Sequence, residues 1–203
     1  KTGLATMMSL LLGLVVFLGV HSLRLLAPRS RQRWMTQLGP ARYKLIYSLV
    51  SLAGFALLLQ GYAAARQVDV VLWTTPFWMK HLAWALMWPA MVLLLASFVP
   101  GNGIRARLRH PLTLSVKTWA LAHLLANGQL AQVLLFASML VWAVLIYRAA
   151  KAEDRSRMVG LMGSGAQMIN LGTLITVLLG SALWAWMALG GGHLLLIGVS
   201  PMQ

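Results

Sequence analysis

The sequence predicts an all-α fold: a polytopic transmembrane helical bundle of about six spans, with both termini on the non-cytoplasmic side. Three observations lead there. Hydrophobic residues make up 60% of the 203 positions and charged residues 10%, with a mean hydropathy of +0.76, far outside the composition of a soluble domain. Six apolar runs alternate with short polar segments. Of the 17 Lys and Arg, 13 lie in the first, third and fifth of those segments, two (Arg66 and Lys80) in the second and none in the fourth. By the positive-inside rule the odd segments are then cytoplasmic, and the number of crossings is even.

The chain reads as one integral membrane domain over residues 1–203, with spans at about 4–23, 45–65, 81–99, 111–126, 130–147 and 171–189. The first run is followed, not preceded, by its positive charge, so it reads as a retained span and not a signal peptide. A basic loop leads to the second run, whose Ser48, Ser51, Ala53 and Gly54 suit close helix contact. Trp73, Trp78, Trp84 and Trp88 surround the start of the third run as an interfacial aromatic belt, and Pro89 is expected to bend it. Pro100 to Gly103 turn the chain into Arg105, Arg107 and Arg109. Asn127-Gly128 separates the fourth run from the fifth, because a single helix over both would be nearly twice the roughly 20 residues of one crossing. A polar segment from Arg148 to Arg157 and a connector containing Gly160, Gly163 and Gly165 precede the sixth run. The apolar tail after it is too short to cross again.

Composition removes whole classes of chemistry. There is no cysteine, so disulfides, thiolate metal sites and iron–sulfur clusters are excluded. The three carboxylates, Asp69, Glu153 and Asp154, all fall in predicted loops, which leaves no paired-carboxylate catalysis or acid-lined pathway inside the membrane. The net charge of +14 sits in short segments between apolar runs, where it sets topology and meets lipid headgroups; no nucleic-acid partner is expected. No P-loop, GxGxxG, GxSxG or HExxH motif is present.

The histidines remain. His123 lies about twelve residues into its run, roughly 18 Å, and His21 roughly 10 Å above the cytoplasmic boundary, so the two sit at similar depths. Facing imidazoles at one depth are what a bis-histidine haem b needs, which makes His21 and His123 the candidate metal ligands. The alternative, a histidine bonded to a neighbouring helix, stays open. Val116, Trp119, Ala120 and Asn127 share the face of His123; Ala120 leaves room for a flat macrocycle and Trp119 can pack against its edge. Arg24, one turn past His21, is a candidate propionate contact or a topology-setting arginine. His110 is expected to cap its helix or to touch a propionate. Lys117 is expected to snorkel, and His81 and His193 to reside at the interface. Met87, Met91 and Met139 read as packing before they read as axial sulfurs.

HSLR (His21 to Arg24), the run from Leu38 to Tyr62, LWTTP (Leu72 to Pro76) and HPLTLSVKTWALAHLLANGQLAQVLLFAS (His110 to Ser138) carry a resemblance to the NnrU family of bacterial membrane proteins. The plant and cyanobacterial 15-cis-ζ-carotene isomerases are similar to that family. The resemblance rests on the first 140 or so residues. It implies a multi-pass protein of the bacterial inner membrane that binds a b-type haem and has a redox or nitrogen-oxide-related role in denitrification. In the isomerase branch the haem ligands would fall on His21 and His123, and reduction of the iron would open a coordination site for isomerisation. Ala120 stands where those isomerases carry a cysteine proposed to exchange with histidine on iron, so a ligand switch of that kind cannot operate here. The expected partners are membrane lipids, haem, nitric oxide or a polyene, and a membrane redox partner. A haem-dependent polyene isomerase and a non-enzymatic assembly partner are the rival readings.

Overall fold

The computed structural model describes residues 2–67, 70–156 and 169–200, and every regular element among them is a helix. In chain order these are α1 (Thr2–Leu26), α2 (Pro28–Ala65), α3 (Phe77–Ala96), α4 (Gly103–Leu108), α5 (Pro111–Ala126), α6 (Leu130–Ser156), α7 (Leu171–Ala188) and α8 (Gly192–Ile197). Five of them, α1, α2, α3, α6 and α7, are long and apolar enough to cross a membrane. The expected fourth span is α5, with the boundaries read from the sequence; its 16 residues rise roughly 24 Å, short of a hydrocarbon core of about 30 Å. Asp69 and the connector glycines Gly160, Gly163 and Gly165 lie outside the described residues.

Three boundaries differ from the sequence reading. The basic stretch before the second span is helical, not a loop. Pro28 starts α2 at a position where its missing N–H costs nothing, and the helix is interrupted only at Gly39 (φ 76°, ψ 157°), immediately before Pro40. The positive φ is one that glycine adopts without strain, and Pro40 supplies no N–H to continue the ladder. Helix α3 starts four residues earlier than expected and runs through Pro89. Helix α6 continues beyond its apolar run to Ser156, because Arg148 to Arg155 are largely good helix formers and a helix need not end where the bilayer does.

The chain forms two compact units, Lys1–Thr74 with Asn127–Trp142, and Thr75–Ala126 with Ala143–Gln203. In the first, α1 and α2 are an intimately packed hairpin. A methyl at Gly13 would stand 2.5 Å from the Cα of Leu58, and one at Gly61 would run into the backbone of Leu10, so only glycine admits this approach. Leu10, Leu14, Leu58 and Ala65 are buried there. The segment after α2 pairs with the turn before α6: Leu72 N–H donates to Gly128 O (2.8 Å), Leu130 N–H to Val70 O (2.8 Å), and Val71 bridges Gln129.

In the second unit α3 packs on α5 and α7. Ser115 of α5 donates to the Ala90 carbonyl of α3 (2.8 Å). Trp88 donates to Ser181 Oγ (2.9 Å), and Trp84 stacks at a tilt on Trp184 (centroids 4.6 Å). These two tryptophans of the expected interfacial belt are therefore tied to α7, while Trp78 stays exposed. Asn102 caps α4 through Arg105 N–H, Asn170 caps α7 through Thr173 N–H, and Gly103 N–H donates to Thr173 Oγ1 (2.8 Å), so the turn after α3 is fastened to the start of α7.

Candidate functional site

Inside an apolar helix an imidazole has one ready hydrogen-bond acceptor, the carbonyl one turn before it. His21 uses it: Nδ1–H donates to Phe17 O at 2.7 Å. Since a carbonyl only accepts, this bond puts the proton of a neutral ring on Nδ1 and leaves the lone pair on Nε2, the nitrogen that ligates metals most readily. The structure surrounds the ring with aromatic groups of the first unit. Phe17 lies 4.3 Å away by centroid, Tyr47 at 5.8 Å and edge-on, and Trp142 at 6.2 Å and nearly perpendicular. The Trp142 indole is itself fixed by a 3.1 Å bond to Ser22 Oγ. Phe17 O is the one hydrogen-bond partner of the His21 ring among the described residues. Arg24 lies in the last turn of α1 and is exposed.

In the second unit His123 repeats the local arrangement, with Nδ1–H donating to Trp119 O at 2.9 Å and the Trp119 ring 5.0 Å from the imidazole. Trp119 thus packs on the histidine itself. Ser115, which is bonded to α3, lies about 80° around the helix from His123. Ala120 has no accessible surface, so the space expected beside its methyl is filled by protein. Met91 and Met139 are buried side chains, as packing residues should be.

His110 is elsewhere. It sits thirteen residues before His123, and its Nε2 is 3.0 Å from Asp154 Oδ2, with Arg109 Nη1 3.7 Å from the same oxygen. A hydrogen bond to this carboxylate holds the His110 ring. Burial alone would raise the Asp154 pKa; the His110 hydrogen bond and the charges of His110, Arg109 and Lys151 outweigh it and hold the carboxyl below its ordinary value of 3.8. The Lys117 ammonium stands 5.9 Å from the centroid of the Tyr147 ring. The sequence reading missed this cluster because Asp154 was placed in a loop.

The motif of an aromatic residue followed four positions later by histidine occurs once more, at Phe77 and His81 (Nδ1 to Phe77 O 3.1 Å, centroids 4.4 Å), but His81 is exposed. His193 donates to Val199 O beside the short α8. Among the described residues no three His, Asp or Glu gather as a metal cluster. The donor chemistry available is therefore that of single, oriented imidazoles, which is what a porphyrin iron asks of a protein: one or two axial nitrogens, the other four coming from the macrocycle.

Compared with models of known families, residues 9–201 match the one described as NnrU protein. That match runs through the last 60 residues as well as the first 140. Neither the curated proteins nor the solved structures contain a match to the chain.

Proposed function

From the premise that the chain belongs to the NnrU family, we propose that it is a multi-pass protein of the bacterial inner membrane that binds haem b through His21 and His123 and serves a redox or nitrogen-oxide-related role. The observation that carries this reading is the shared setting of the two rings. Each has Nδ1–H tied to its own helix, which sets the tautomer and fixes the orientation of the ring. Phe17, Tyr47 and Trp142 pack around the His21 ring, and Trp119 lies against His123. Arg24 supplies a guanidinium one turn from His21, suited to a propionate. When bound, haem b supplies an iron that changes oxidation state and takes a diatomic ligand such as nitric oxide.

The six-span topology belongs to the same proposal. Helix α5 is the short crossing, held against α3 by the Ser115 bond and turned back into α6 at Asn127-Gly128, and the lysine and arginine alternation then leaves both termini on the non-cytoplasmic side.

The test is the absorbance of the detergent-purified protein after haem supplementation. A Soret band that disappears in His21→Ala and in His123→Ala, and that shifts on reduction with nitric oxide present, supports the proposal. Protein that stays colourless overturns it in favour of an assembly partner without haem. Incubating the reduced protein with a poly-cis carotene separates the role proposed here from polyene isomerisation, which would show as a changed carotene isomer profile.

A further inference from the structure

A buried hydroxyl without a hydrogen-bond partner is costly, and native structures rarely keep one. The first unit keeps one at Tyr43. This residue is 8% exposed, and its hydroxyl has no partner among the described residues. Beside it is Arg31, whose guanidinium carbon stands 5.9 Å from the centroid of the ring. That contact engages the face of the ring and not the hydroxyl, and no carboxylate pairs with Arg31 among the described residues.

The surroundings say what completes the pair. Tyr47, one turn after Tyr43 on α2, has its ring 6.2 Å from that of Tyr43 and 5.8 Å from that of His21. The approaches of Gly13 to Leu58, Gly54 to Phe17 and Gly61 to Leu10 fix the antiparallel register of α1 and α2, in which Tyr47 stands level with Arg24 and Tyr43 with Pro28. Tyr43 is thus roughly 10 Å beyond His21 by the helical rise, of the order of the distance from a porphyrin's iron to its propionate carboxylates. The guanidinium can only donate and the phenol has a proton to give, so an anionic acceptor satisfies both. We infer that Tyr43 and Arg31 form the seat of one haem propionate, the Tyr43 hydroxyl and the Arg31 guanidinium donating to its carboxylate oxygens, while Arg24, one turn from His21, serves the other. Arg31 precedes the Gly39 kink and Tyr43 follows it, so the two halves of α2 each supply one side of the seat, and the half-buried Arg31 side chain turns from the ring face to the carboxylate. The seat has meaning only with His21 as a haem ligand, as proposed above, and it adds the direction in which the macrocycle faces.

The experiment is titration of the detergent-purified full chain with haem b and with its dimethyl ester, in which both propionates are blocked, followed at the Soret band. The wild type should bind haem b more tightly than the ester. Tyr43→Phe, which removes one oxygen and keeps the ring, should bind haem b about tenfold more weakly, as loss of a hydrogen bond to a charged group does, with its affinity for the ester unchanged. Arg31→Gln should do the same. Tyr43→Phe with wild-type affinity for haem b overturns the inference and leaves the haem reading standing. Equal weakening toward haem b and the ester also overturns it, since the hydroxyl would then serve the fold and not a carboxylate, and so does a wild type that binds both porphyrins equally. A wild type with no Soret band from either porphyrin overturns the inference and the haem reading together. Should the phenylalanine variant fail to fold, Arg31→Gln decides by the same comparison of acid and ester.

Discussion

His21 and His110 are both half-buried histidines on helices of one protein, and they are held in opposite ways. His21 is bonded to its own backbone and has three aromatic rings around it. His110 is bonded across 44 residues to a carboxylate that an arginine also holds. The first arrangement orients the ring and leaves a nitrogen to offer to a metal. The second ties Nε2 to a carboxylate and so uses that nitrogen up. What a histidine can do in this protein is thus decided by its partner and not by its depth.

The largest test of the contrast is haem retention. His21→Ala should abolish the Soret band, while His81→Ala, with the same local bond to the carbonyl of an aromatic residue but an exposed ring, should leave it intact; equal loss in both would mean that the aromatic enclosure is irrelevant. Next is the glycine packing. Gly13→Ala should lower stability by about 1–3 kcal/mol, read as thermal unfolding in detergent, because its methyl meets the Leu58 backbone. Gly19→Ala, with no atom within 4 Å of the added carbon, should not. Smaller again, Ser115→Ala should cost about 0.6 kcal/mol, the typical worth of one interhelical hydrogen bond in a membrane.

The smallest effect is confined to acid. A carboxyl whose folded pKa lies below its unfolded value stabilises the fold above that unfolded value, 3.8 for Asp154, and the contribution is lost as pH falls through the lower folded one. The unfolding temperature of the wild type should therefore decline below about pH 4 more steeply than that of Asp154→Asn. Parallel curves would show that the His110 contact stabilises nothing.

Much of this arrangement was legible in the residues. The apolar runs located all the long helices, and Asn127-Gly128 marked the break between α5 and α6 where the structure has it. Periodicity placed Trp119 beside His123, as found. What escaped was of three kinds. The helical stretch before Gly39 and the last two turns of α6 are polar and basic, and charge was read as the end of a helix when it marks only the end of the apolar run. The pairs His110–Asp154 and Gly103–Thr173 join residues 44 and 70 positions apart, and no local pattern announces a partner at that distance. Ala120 is a third case: a small residue reads equally as space left open and as space that a neighbour fills, and here it is filled.

The pairing of the segment after α2 with the turn before α6 is made almost wholly of main-chain atoms. Such a clasp is indifferent to the identity of the side chains at Val71 and Leu72, which can vary in size and polarity with little effect on closure. Its single vulnerable point is Gly128, where one added carbon would collide with the Trp73 carbonyl and prise the two strands of chain apart.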